Sequence, residues 1–161
     1  MTATWTAPRT WTDAELVNAT IMNAHVRDNL DYLKARPLAR FADVDGTVIS
    51  TSSTSFVDVT GASVSITTSG SSRLLILASG TINPGGTANV IYVTADIDGT
   101  NQGDATAGLT QGAYANTGSF AIAFATAAAV ADGAHTVKLR VRVSGGTLSI
   151  TQASLVVMEV Y

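Results

Sequence analysis

Apolar residues change their spacing once along this chain, at Pro37, and no other feature limits the fold as strongly. Before Pro37, Ala19, Met22, Val26, Leu30 and Leu33 recur every three or four residues, one stripe along one helix face. After it the period is two, and no second helical stretch follows. The alternation predicts short strands over residues 43–50, 56–59, 63–67, 73–82, 89–97, 119–126, 135–143, 147–151 and 153–161. Turn formers separate them at Gly61, Ser69-Gly70, Pro84-Gly85-Gly86, Asp98-Gly99, Asp132-Gly133 and Ser144-Gly145-Gly146. Eight or nine strands with no helix between them specify a mainly β fold. We expect an antiparallel β-sandwich of jelly-roll type, preceded by an N-terminal arm and one α-helix. The boundary falls near Ala39: residues 1–38 form the arm and helix, and residues 39–161 the β domain.

The strand faces carry more information than the strand count. In residues 135–143, Val137, Leu139, Val141 and Val143 alternate with Lys138, Arg140 and Arg142, so one face is core and the other is wet or paired with acids. Residues 73–77 and 154–158 are instead apolar on both faces, and Phe120, Ile122 and Phe124 alternate with alanines. A two-sheet sandwich has one inner face per sheet, so such strands predict that a second copy of the chain covers the other face.

The helix has two candidate starts. Thr12 and Glu15 fit a capping box, with Trp11 and Leu16 as its staple. Alternatively residues 12–15 make a single turn and Asn18 caps a helix beginning at Ala19, the start that the weak helical stretch Leu16-Val17-Asn18 favours. Pro37 stops the helix, with Lys34 and Arg36 near the negative end of its dipole. The stripe also fits a heptad seam with Asn23 at a core position, but about two heptads do not hold a coiled coil together. The stripe therefore needs another partner. Ahead of it, residues 1–10 read as an extended arm whose large apolar group, Trp5, is expected to anchor in a pocket on another surface.

Charge and composition narrow the function classes. A formal net charge of −3 leaves no basic excess for phosphates, so neither nucleic acid nor a membrane surface is an expected partner. Without cysteine there is no disulfide, thiolate metal site or cysteine nucleophile. The N-terminus lacks the pattern of a signal peptide, and the longest nearly apolar run, residues 120–131, is short of the ~20 residues of a span, so the reading is a soluble chain starting near Met1.

No arrangement announces catalysis, and neither an enzyme nor a cofactor is expected. His25 and His135 are the two histidines, and His25 with Asp28 reads as a solvated helix pair. Asp96, Asp98, Asn101 and Asp104 offer the residue types of a calcium loop without its spacing, flanking helices or terminal glutamate; a hairpin turn accounts for the same residues. Residues 99–118 form the longest irregular stretch and are the candidate ligand loop, with Tyr114 and Asn116 as candidate contacts, or else a connection between subunits.

Trp5, Pro8, Arg9, Thr10, Trp11, Glu15, Val17, Met22, Asn23, His25, Arg27, Asp28, Asn29 and Leu30 follow the pattern W-x-x-P-R-T-W, then a Glu-hydrophobic-Val turn, then L/M-N-x-H-x-R-D-N-L. Over about the first 35 residues this resembles an N-terminal signature of structural proteins of tailed bacteriophages. The β region is similar in pattern to trimeric jelly rolls of phage fibres, head decorations and the tumour necrosis factor-like superfamily, where an apolar last strand, here residues 153–161, lies near the three-fold axis. The resemblance implies a virion location and a homotrimer acting as capsid decoration or short head spike, with a major capsid or tail protein as partner. It makes Trp5, Trp11, Leu16, Met22, Val26, Leu30 and Leu33 the expected virion-docking residues. The alternative is a host-receptor or polysaccharide-binding domain that takes a surface glycan at the 99–118 loop.

Overall fold

The structure is a computed structural model that describes residues 6–34, 36–43, 49–69, 72–85 and 89–160. A helix over residues 19–34 precedes ten strands: β1 (Leu38–Asp43), β2 (Ile49–Thr51), β3 (Val57–Thr68), β4 (Arg73–Pro84), β5 (Asn89–Ile97), β6 (Thr100–Asn101), β7 (Thr110–Tyr114), β8 (Gly118–Ala125), β9 (Gly133–Val143) and β10 (Leu148–Val160).

Strand pairing is nested. The first strands, β1 and β2, pair with the last, β10; β3 pairs with β9, β4 with β8, and β5 with β7, all antiparallel. Two further pairings, β10 with β4 and β9 with β5, close the folded ribbon into two sheets. Sheet I has the order β1–β10–β4–β8, with β2 also on β10; sheet II has the order β3–β9–β5, with β6 and β7 on the free side of β5. This is the strand order of a jelly roll, the expected fold class.

Alternation drives the packing. Leu74, Ile76 and Ile82 of β4, Ile122 of β8 and Leu155 and Val157 of β10 point from sheet I into the core, where they meet Ile91 and Val93 of β5 and Val137, Leu139 and Val141 of β9. Each such side chain contributes about 1.5–3 kcal/mol on burial. Among the described residues no helix is long and apolar enough to cross a membrane.

Several expected bounds shift, each for a local reason. Of the strand expected over residues 43–50, residues 44–48 lie outside the described residues; β1 ends at Asp43, having begun at Leu38 because Ala39 and Phe41 already turn towards the core, and β2 begins at Ile49. The pairs expected at 56–59 with 63–67, and at 147–151 with 153–161, are single strands, β3 and β10, each broken in register by a bulge. In β3 the irregularity contains Gly61 at φ +77°, a conformation that costs glycine little. β7 was not expected at all, since Thr-Gln-Gly-Ala-Tyr has no apolar alternation; residues 99–118 are thus not irregular throughout.

Gly80 marks the tightest point of sheet I. A Cβ there would lie 2.5 Å from the Phe120 ring and 2.7 Å from the Gln152 carbonyl oxygen. Gly80→Ala is therefore expected to cost about 1–3 kcal/mol through overpacking. Urea denaturation would show a lowered midpoint, and an unchanged midpoint would contradict this packing of β4 between β8 and β10.

Candidate functional site

The arm folds back on the helix and is held there by the residues of the sequence signature. Glu15 donates its backbone N–H to the Thr12 carbonyl at 3.2 Å, and its side chain accepts from the Thr12 N–H at 3.3 Å. That closes a single turn. Ala14, at φ +60°, prevents the turn from propagating. The helix starts afresh at Ala19, where the Asn18 side chain accepts from the Ile21 N–H at 3.0 Å, the second of the two expected starts. Arg9 pairs with Glu15, and its guanidinium lies 4.9 Å from the centre of the Trp11 ring. Trp11 meets the His25 ring edge-on at 6.3 Å.

Asn29 fastens the other end of the arm. Its side-chain amide accepts from the Thr6 N–H and donates to the Thr6 carbonyl, both at 2.9 Å, as a neighbouring strand would. It also donates to the His25 carbonyl at 3.3 Å. His25 does not pair with Asp28 as expected, because Arg27 takes that carboxylate at 2.7 Å.

Residues 23–27 form a π-helical turn, whose wider winding shifts the phase of everything after it. Tyr32 and Asn29 turn inward, while Met22 (44%), Val26 (40%), Leu30 (61%) and Leu33 (43%) stay exposed, as do Trp11 and Leu16. Asn23, assigned to a seam position, is also exposed. The stripe and arm enclose a groove of about 320 Å³ lined by Pro8, Trp11, His25, Val26, Leu30 and Leu33. Six of the seven expected docking residues are thus exposed, and four of them, Trp11, Val26, Leu30 and Leu33, line this groove; Trp5 lies outside the described residues.

A buried hydrogen bond seats this unit on the β domain. Tyr32, 2% exposed, donates its hydroxyl to the fully buried carboxylate of Glu159 on β10. The other oxygen of Glu159 accepts the Ser69 N–H at 2.9 Å, and the Glu159 N–H reaches the Pro37 carbonyl at 3.2 Å. Neither residue stood out in the sequence. The available signal was an acid at an inward position, since Leu155, Val157 and Glu159 alternate on one face.

The outer faces of the two sheets differ in who covers them. On sheet II, Arg142 lies 3.8 Å above the Tyr92 ring and donates to the carbonyls of Thr54 (3.3 Å) and Thr106 (2.8 Å). Arg140 binds the Phe56 carbonyl, the Asn101 side chain and Asp58. Lys138 hydrogen-bonds Asp58 and is the main reason that its carboxyl titrates below the usual range. Two of the chain's own loops are thereby drawn over this face. Among the described residues no loop is fastened over sheet I in this way: register places Leu38, Met158, Leu75 and Ala125 in one row and Arg40, Val156, Leu77 and Ala123 in the next. Leu38 and Leu77 are exposed, and Leu75, Val156 and Met158 are half-buried.

The acidic run of residues 96–104 divides among separate partners. Asp96 accepts the Gly99 N–H, Asp98 binds His135 and the Thr136 N–H, Asn101 accepts from Arg140, and Asp104 accepts the N–H groups of Thr106 and Ala107. Asn116 is exposed beyond β7, and the Tyr114 side chain lies outside the described residues.

No protein-family model and no curated protein matches the sequence. Similar solved structures include that of infectious bursal disease virus, Gx strain, with a TM-score of 0.47 and 11% identity over 76% of this chain and 32% of that one. Another is the T13 particle of the same virus, with a TM-score of 0.49 and 13% identity over 79% and 32%. The chain spans about a third of the length of these proteins.

Tyr32→Phe is expected to reduce stability by about 1–3 kcal/mol, because it withdraws a donor from a buried carboxylate. Thermal melts of the full chain would show the loss. Wild-type melting would mean that the helix is not seated through Glu159.

Proposed function

We propose that this chain is a virion structural protein, without catalytic activity, of the kind found in tailed phages. It acts as a homotrimeric capsid decoration or short head spike. The arm and helix, residues 1–38, dock on a major capsid or tail protein, and the jelly roll, residues 39–161, faces outward. The observation that carries this reading is what the signature residues do. Arg9, Trp11, Glu15, His25 and Asn29 brace one another, and the surface they create, with Trp11, Val26, Leu30 and Leu33, is apolar and open. A chain that uses so many residues to present an apolar groove has it for a protein partner.

The homotrimer is supported by the uncovered rows of sheet I. An apolar, nearly uncharged face suits a permanent contact between copies better than a transient one. A glycan site at residues 99–118 gains less support, since Arg140 and Arg142 spend their donors on the chain's own carbonyls and side chains.

Two measurements test this. Each leucine buried on docking contributes about 1.5–3 kcal/mol, so Leu30→Asp with Leu33→Asp in the full chain should weaken co-sedimentation with particles at least about tenfold. Undiminished binding would refute the docking assignment. Native mass spectrometry of the intact protein should give three copies of the 16.5 kDa chain, and a stable monomer would refute the trimer.

A further inference from the structure

We infer that His135 is a proton-dependent latch: as the doubly protonated imidazolium it ties the loop between β8 and β9 to the turn after β5, and its deprotonation releases that loop. Each ring nitrogen faces an acceptor oxygen. His135 is 8% exposed; its Nδ1 lies 2.6 Å from an Asp98 carboxylate oxygen, and its Nε2 lies 2.8 Å from the Ala131 carbonyl oxygen. A carbonyl can only accept, so Nε2 must carry a hydrogen. The other Asp98 oxygen accepts the Thr136 N–H at 2.8 Å, which favours the ionised carboxylate and so a hydrogen on Nδ1 as well. Neutral imidazole has one N–H, so loss of the proton breaks one of the two bonds.

The bond to Ala131 is one of a short set of ties that hold that part of the loop. The Ala131 carbonyl also accepts from the Thr68 hydroxyl at 2.8 Å, and the loop is tied to sheet I by the N–H groups of Thr126 and Val130. Between these ties run Ala127, Ala128 and Ala129, exposed and too small to anchor themselves. Beneath lies a hollow of about 440 Å³ lined by Ile97, Phe124, Thr126 and Val130, between the ends of β5 and β8. His135, near the start of β9, thus holds the end of the loop that borders this apolar space.

Few other charges act on His135. Asp98 faces it from the turn; Asp132 is the next acid, exposed in the loop; and its β3 neighbour in register is the uncharged Ile66. The Asp98 bond, then the Ala131 carbonyl, raises the His135 pKa above its ordinary 6.5 despite burial. The His135 bond, then the Thr136 N–H, lowers that of Asp98 below 3.8. A raised histidine pKa gives stabilisation that is complete below 6.5 and lost as pH rises through the raised value. A lowered aspartate pKa gives stabilisation present above 3.8 and lost only as pH falls through the lowered value. The latch is therefore shut at and below pH 6.5 and opens as the pH rises through the raised His135 value. It also adjoins the helix seat, since Thr68 is followed by Ser69, which holds Glu159.

The test is a ring-nitrogen NMR titration of the full chain from about pH 5 to about pH 9, with hydrogen exchange of the amides of residues 127–132 corrected for intrinsic rate. His135 should keep both protons beyond pH 6.5, and the loop should lose protection with the same midpoint. Asp98→Asn should lower both midpoints together, and His135→Gln should remove the step in loop protection. A His135 midpoint at or below 6.5, or loop protection without a step in the wild type, would overturn the latch. Should His135→Gln fail to fold, the two midpoints in wild type and Asp98→Asn still decide, because midpoints that move apart would also overturn it.

Discussion

A sandwich of two sheets hides one face of each and leaves the other to the chain's own loops, to a partner or to water, and the two sheets here differ in this. Sheet II covers itself. Its β9 alternates valine and leucine with Lys138, Arg140 and Arg142, and the two arginines fasten the 53–56 and 99–109 segments across the face. Sheet I presents Leu38, Leu75, Leu77, Val156 and Met158 in adjacent rows with alanines on β8, and none of the chain's described loops is fastened over them. Self-covering on one side and openness on the other give the molecule a direction, and that asymmetry is consistent with the proposed association of copies through sheet I.

The arm and helix follow the same logic at smaller scale. A helix of this length is marginal alone in water. It persists because Asn18 caps it, Asn29 pairs it with the arm and Tyr32 seats it on Glu159. None of these contacts uses the apolar stripe. The polar residues do the holding, and the leucines are left outside, the reverse of a helix whose purpose is to complete its own domain's core.

Much of the fold was legible because alternation survives where strands are regular. β5 has the expected bounds, and β9 has the expected core and charged faces. Where legibility failed, a physical reason is visible. Gly61 in β3 and the register shift after Ile150 in β10 reverse the phase of alternation, so each strand read as two. β7, Thr-Gln-Gly-Ala-Tyr, has no apolar alternation and joins the sheet by pairing with β5, which leaves no trace in side-chain pattern. At the candidate site, the stripe could be read from spacing, but the π-helical turn that decides what faces inward could not. Asn29 belonged to the signature without a role, and the Tyr32–Glu159 contact joins positions 127 residues apart.

The central claim is that two apolar surfaces exposed on the single chain, the helix stripe and the outer face of sheet I, are covered in the assembled particle. Each carries one methionine, Met22 and Met158. Oxidative footprinting of methionine, comparing the isolated chain with intact particles, reads both surfaces at once. The account predicts Met22 readily oxidised in the single chain and protected in the particle, with Met158 protected wherever copies associate. Met22 oxidised equally fast in both states would contradict it.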